Sequence, residues 1–228
     1  MATENKGLID KIIGNINKYI WNDKDCFKKY IKNNENYDGT IQVSNHNKGV
    51  PIRPVCKGDK ISPGDNAFRT DIALFYGSHE DKEKKNREKE YNGEVYLVII
   101  EVKGSAKITT NEVAEYSYRA RRHKNIYPWL RYGMVWSSPK ERDIPRRFYT
   151  NNESLDFAFN FNGDVDNNFQ DFYENILRKQ IIMSLKLHKI HDGGTGTPYF
   201  SSNVDFGYKG KEDCREIIGD RGGAGGMI

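Results

Sequence analysis

Three residues carry the chemistry this sequence is equipped for. Asp71 lies in the apolar run 68–76, and Glu101 and Lys103 lie at the charged end of a second run. That second run, Val95-Tyr96-Leu97-Val98-Ile99-Ile100-Glu101-Val102-Lys103, is β-branched and aliphatic almost throughout, the pattern of an interior strand covered on both faces. Strand side chains alternate, so Glu101 and Lys103 are expected on one face, with Leu97 and Ile99 behind them on the same side. With the Asp71 strand paired beside it, two carboxylates and an ammonium meet in one small volume. Carboxylates at close range repel, and neither ionises easily unless a cation sits between them. A hard divalent cation with oxygen ligands meets that need, and Mg²⁺ is the usual occupant. Such an ion polarises a phosphoryl oxygen and activates a bound water.

Asp71 followed thirty residues later by Glu101-Val102-Lys103 resembles the core of the PD-(D/E)xK nuclease superfamily, also called restriction-endonuclease-like. The resemblance implies a central mixed β-sheet flanked by α-helices, an α/β fold. It implies Asp71 and Glu101 as Mg²⁺ ligands, the Val102 carbonyl as a further ligand, and Lys103 as the catalytic lysine that positions the attacking water. Thr70 stands where many members have Pro, and the acid many members carry on the first helix has several candidates here, among them Glu4, Asp10 and Glu35. The implied activity is Mg²⁺-dependent endonucleolytic cleavage of double-stranded DNA by a type II restriction-like homodimer. An acid-x-Lys triplet alone is weak, because strands leaving a core commonly end in charge. The order of elements adds the weight: an Asp on one apolar strand, the triplet on the next, then a helix and another strand.

The elements that must position these residues are legible in turn. Leu8, Ile9, Ile12, Ile13, Ile16, Tyr19 and Ile20 recur at helical spacing after a cap at Thr3, and Asp23 is placed to cap a second helix that buries Phe27, Tyr30 and Ile31. Short strands are expected over 40–43 and 50–55, the prolines making the latter an edge or extended loop. Asp59 and Asp65 read as turn residues. The charged stretch 79–90 reads as a solvated hairpin tip or short exposed helix.

After Lys103, Thr109-Thr110-Asn111-Glu112 is a capping box. The helix it opens should bury Val113, Tyr116, Ser117 and Ala120 and present Tyr118, Arg119, Arg121, Arg122 and Lys124 outward. With Tyr127 and Trp129, those residues form a candidate nucleic-acid surface, guanidinium groups for phosphate and rings for bases. A merely solvated basic helix is the alternative. Strands over 132–138 and 154–161 follow. From Asn168 the apolar stripe Phe169, Phe172, Tyr173, Ile176, Leu177, Ile181 and Leu185 reads as a core helix or dimer face.

Composition sets the bounds. The 228 residues suffice for one well-packed domain, expected over 1–191 with its core motif at 68–138, followed by a Gly-rich and largely mobile tail, 192–228. No apolar run is long enough for a membrane helix and no signal-peptide pattern opens the chain, so a cytoplasmic protein is expected. Cys26, Cys56 and Cys214 form neither a disulfide framework nor a zinc site, and His188 with His191 reads as a solvated helix end. Net charge is +4, yet eleven basic residues face only four acidic ones over 102–150, the stretch where a phosphate backbone must lie. Two rivals stand beside the nuclease reading. One is an inactive nucleic-acid-binding module of the same fold; the other is a structural or interaction protein working through the 168–190 helix.

Overall fold

The continuous aliphatic run 95–103 forms the strand on which the molecule is assembled. In this computed structural model the described residues are 2–31, 40–44, 48–56, 59–61, 66–77, 89–90, 93–104, 108–140 and 143–191. The chain divides into a unit 1–196 and a second, 197–228, which lies outside the described residues together with the expected tail.

In chain order the elements are helices α1 (Ala2–Asn22) and α2 (Lys24–Lys28), then strands β1 (Gln42–Val43), β2 (Lys48–Pro51), β3 (Lys60–Ile61), β4 (Ala67–Thr70), β5 (Ile72–Tyr76), β6 (Lys89–Glu90) and β7 (Val95–Lys103). Helix α3 (Thr110–Lys124), strand β8 (Arg131–Trp136), helix α4 (Arg146–Asn151) and strand β9 (Phe157–Asn160) follow. Helices α5 (Val165–Phe172) and α6 (Arg178–His191) close the order, joined by a π-helical turn, Tyr173–Leu177. The central mixed sheet runs β1-β5-β7-β8-β9, antiparallel through β7 and parallel from β7 to β9. Two small antiparallel pairs, β2–β4 and β3–β6, stand apart from it. Helix α3 makes the crossover between the parallel neighbours β7 and β8 that such a pair requires. Among the described residues no helix is long and apolar enough to cross a membrane.

Two departures from the sequence reading bear on the site. The run 68–76 is not one strand: β4 pairs with β2, β5 pairs with β1 and β7, and Asp71 is the single bend residue between them. The second is a bulge in β7. Leu74 pairs with Val98 but Phe75 pairs with Tyr96, so Leu97 is an extra residue that reverses the alternation. Tyr96, rather than Leu97, therefore shares the α3-facing core with Ile99.

That core combines Ala73, Phe75, Tyr96, Ile99, Tyr132, Met134 and Trp136 of the sheet with Val113, Tyr116 and Ala120 of α3 and Phe148 of α4. Each large apolar side chain fully buried there contributes roughly 1.5–3 kcal/mol. Tyr127 and Trp129 belong to this core, so they are packing residues and not part of an exposed surface. Helices α1 and α6 pack on β7, and Phe172 of α5 meets Phe157 and Phe159 of β9. In the long apolar stripe Phe169, Phe172, Tyr173, Leu177, Ile181 and Leu185 are buried within this chain, which leaves that stripe no role as an exposed working face.

The N-terminal helices depart in detail. Helix α1 begins before Thr3, which lies inside it. Asp23 stands at the N-cap of α2 without a side-chain cap bond. Its carboxylate instead accepts from Arg178 Nε at 2.6 Å and from Tyr173 Oη at 2.8 Å, tying α2 to the π-helical turn. The expected solvated His pair is half of a small aromatic cluster: Tyr76 Oη and His188 Nδ1 lie 3.0 Å apart, and Trp129 lies 4.5 Å from His188 and 4.8 Å from His191.

Candidate active site

Glu101 lies near the C-terminal end of β7, only 2% exposed, after the aliphatic run Leu97-Val98-Ile99-Ile100. The antiparallel register that sets Ile72 opposite Ile100 brings Asp71 beside it. Asp71 Oδ2 accepts the Val102 amide at 2.8 Å, fixing the bend to the strand end, and the two carboxyl groups are in hydrogen-bonding contact. Burial first, and the Asp71 charge second, push the Glu101 carboxyl up to about 8, while Tyr132 and Arg119 pull it partly back. Two acids so placed hold a proton between them or a cation.

Lys103 projects from the same face of β7. Its Nζ lies 3.1 Å from Glu112 Oε1 and 5.0 Å from the centre of the Tyr116 ring. Burial works against the ammonium, but hydrogen bonds to Tyr116 and Glu112 outweigh it and hold the lysine charged. Glu112 is also half of the capping box anticipated from the sequence. Glu112 Oε2 accepts from the Thr109 amide at 2.8 Å, and Thr109 Oγ1 accepts from the Glu112 amide at 3.3 Å. One carboxylate thus fixes both the start of α3 and the position of Lys103.

Arg119 completes the charged group. Its guanidinium pairs with Glu115, lies 5.7 Å from the Phe68 ring and 5.3 Å from the Tyr116 ring, and acts electrostatically on Glu101. The expectation placed Arg119 on the outer face; the structure leaves it half-buried near the Phe68 and Tyr116 rings, where its charge acts on Glu101. Tyr132 Oη donates to Glu101 Oε1, and its ring stacks on His123 at 5.6 Å. Burial, then the Glu101 charge, push the Tyr132 hydroxyl well above its ordinary value. His123 is fully buried, with Nε2 3.1 Å from the Val50 carbonyl and its ring edge-on to Phe68 at 5.5 Å; burial pushes it down to about 4, so it stays neutral.

The structure therefore brings Asp71 and Glu101 together at one sheet end, with the Val102 amide bonded to Asp71; Lys103 lies two residues beyond Glu101 on the same strand, engaged by Glu112 and Tyr116. Tyr116, Tyr132 and His123 belong to the same neighbourhood and escaped the sequence reading. Tyr132 lies two residues before Met134, which faces Glu101 across the parallel pair, and only that register reveals its approach. Of the expected nucleic-acid residues, Tyr118, Arg121 and Arg122 are exposed. Lys124 departs from the expectation: its Nζ lies 2.7 Å from Asp156 Oδ2 and donates to the Ser154 carbonyl at 2.6 Å, a packing role.

The donor set suits a hard cation in one respect and is sparse in another. Two carboxylates and a carbonyl are oxygen donors of the type Mg²⁺ accepts, and Mg²⁺ ordinarily keeps several waters and takes one or two carboxylates. The burial of an acid against a second acid supplies the charge such an ion would neutralise. Among the described residues no group of three or more His, Cys, Asp or Glu is placed to share an ion. Asp10 is exposed on α1, and Asp59 Oδ2 accepts from the Cys56 amide at 2.7 Å as a turn residue does. The Glu4 side chain, Glu35 and Asp65 lie outside the description.

Comparison of the chain with protein-family models, with curated proteins and with solved structures gave no match.

Proposed function

We propose that this chain is a metal-dependent phosphodiesterase acting on DNA, an endonuclease built on a restriction-endonuclease-like core. The observation that supports it most is the contact of Asp71 with the buried Glu101 at the end of β7, with Lys103 on the same face. The sequence β5, β7, α3, β8 agrees with the strand, strand, helix, strand order of that superfamily. Asp71, Glu101 and the Val102 carbonyl would hold Mg²⁺. When bound, the ion supplies polarisation of the phosphoryl oxygen and a more acidic water.

The residues of the chain then have separable tasks. Lys103, kept charged beside Glu112 and Tyr116, orients the water and offsets negative charge that develops on the phosphate. Tyr132 donates to one oxygen of Glu101 and so steadies that carboxyl beside Asp71. Arg119, whose charge acts on Glu101, would help bind a phosphate oxygen. In the hydrolysis the water oxygen bonds phosphorus and one ester P–O bond breaks. The water releases a proton to solvent, and the departing oxygen takes one up. A cytoplasmic homodimer acting on duplex DNA belongs to the same proposal by family precedent.

The test is direct. Supercoiled plasmid and labelled oligonucleotides are incubated with the protein in Mg²⁺ or in chelator, alongside the Asp71→Ala, Glu101→Ala and Lys103→Ala proteins. Cleavage that requires Mg²⁺ and vanishes in each variant is expected. Binding without cleavage under all conditions would leave only the inactive binding module.

A further inference from the structure

We infer that the outer side of the α3–α4 layer is a stacking surface for an unpaired nucleic-acid strand, which it delivers past Arg119 to the acid pair. The inference rests on the phosphodiesterase reading above and narrows its substrate to nucleic acid with a single-stranded segment at the site.

Helix α4 runs beside α3. Arg147 Nε donates to the Ile108 carbonyl near the start of α3, and the Glu153 and Ser154 amides donate to Ser117 Oγ at 2.7 and 2.9 Å in its middle. Phe148 anchors α4 in the core, which leaves Tyr149 on the outside, 69% exposed. Tyr118 on α3 is 49% exposed. Both rings are large and open to solvent, with Tyr149 meeting the Phe148 ring edge-on at 6.1 Å. Arginines share these helices: Arg121, Arg122 and Arg146 are exposed, and the Arg121 guanidinium lies 5.9 Å from the Tyr118 ring. The acids of this layer are already engaged, Glu115 by Arg119 and Glu153 by Arg121 at 3.6 Å. The residue that follows Tyr118 is Arg119, whose charge reaches Glu101. Helix α3 thus carries both part of the platform and a residue that acts on the site.

The pairing of rings with arginines selects the partner. A duplex keeps its base faces stacked and offers a protein phosphates and groove edges, which arginines meet without help from rings. An unpaired strand offers base faces, and each base stacked on an aromatic ring adds strongly and with little sequence preference.

Fluorescence anisotropy on the full chain in chelator, where no cleavage intervenes, tests this with a labelled single strand of about 20 nucleotides and the blunt duplex of the same sequence. The single strand is expected to bind about tenfold tighter or more. Tyr118→Ala and Tyr149→Ala should each weaken single-strand binding by about tenfold while leaving duplex binding unchanged, and the Phe replacements should retain it. Arg121→Ala with Arg122→Ala should weaken both and flatten the salt dependence. Equal affinity for the two ligands, or Tyr→Ala proteins with unchanged single-strand affinity and native circular dichroism, would overturn the inference. So would variants that change only self-association in sedimentation. Single-strand binding without Mg²⁺-dependent cleavage would remove the phosphodiesterase reading alone; cleavage with no single-strand preference would remove this inference alone.

Discussion

Asp71 and Glu101 touch through their carboxyl groups at the end of β7, one held by the Val102 amide and the other by the Tyr132 hydroxyl. Each acid thus has a separate anchor, and the contact between them persists without either being free to turn away.

The first consequence is a pH-dependent stability that a bound cation should cancel. The Glu101 carboxyl is pushed up to about 8 in the fold from an ordinary value of 4.5. Between those values the native state keeps a proton that the unfolded state releases, so stability falls as pH rises through this window. Urea denaturation in chelator should give a lower midpoint at pH 8 than at pH 5.5. Glu101→Gln should lessen that slope, and Mg²⁺ should raise the midpoint most at the alkaline end. An unchanged slope in Glu101→Gln would show that the acid pair is not its source.

Tyr132→Phe removes a hydroxyl whose bond favours ionised Glu101. Divalent-ion affinity measured by calorimetry should fall by about 10- to 100-fold, the usual cost of losing an outer partner of a ligand. The ring and its stack on His123 remain, so the far-ultraviolet spectrum should be unaltered.

Glu112 has two duties that substitution can separate. Thr109→Ala removes the cap and the hydroxyl's bond to Glu112 but leaves the ion pair with Lys103, and should cost about 1 kcal/mol. Glu112→Gln weakens the cap and also abolishes the ion pair with Lys103. Cleavage of DNA should slow far more in Glu112→Gln than in Thr109→Ala, on the order of 10²-fold for a misplaced catalytic group. Equal rates in the two proteins would reduce Glu112 to a capping residue.

Lys124 should matter for stability and not for nucleic acid. Asp156 is bonded to Lys124 and Arg131, each at 2.7 Å, and takes the Tyr132 amide at the same distance. Lys124→Ala should cost about 2 kcal/mol, since it leaves a largely buried carboxylate with one cation fewer. For a chain of this size that lowers the melting temperature by roughly 4–8 °C. Nucleic-acid affinity of the folded fraction should be unchanged.

At Gly133, in the middle of β8, an added Cβ would lie 2.3 Å from the Phe157 ring on β9. Gly133→Ala should therefore destabilise the protein by about 1–3 kcal/mol through overpacking. Gly133→Ala with Phe157→Leu should recover part of the loss in thermal melts.

What the sequence disclosed followed from how local each cause is. The capping box at Thr109 and Glu112 and the buried positions Val113, Tyr116, Ser117 and Ala120 were legible because a cap and a 3.6-residue period act within a few residues. The 165–191 helix was legible for the same reason, although its π-helical turn was not. Leu97 looked like any other strand residue, since a bulge is decided by the partner strand. Lys124 and Arg119 sit on one basic helix, and only the positions of Asp156 and Glu101 in space divide their roles. Helix α4 was hidden because six residues are too few to show a helical period.

The two acids are also tied to a ribbon outside the central sheet. Asp71 is joined directly to β4, and β4 is hydrogen-bonded to β2. Glu101 reaches the same ribbon by another route, through Tyr132 and then His123, whose ring nitrogen meets the carbonyl of Val50 on β2. The β2–β4 pair thus touches the supports of both carboxyl groups, one through the chain and the other through a stacked ring.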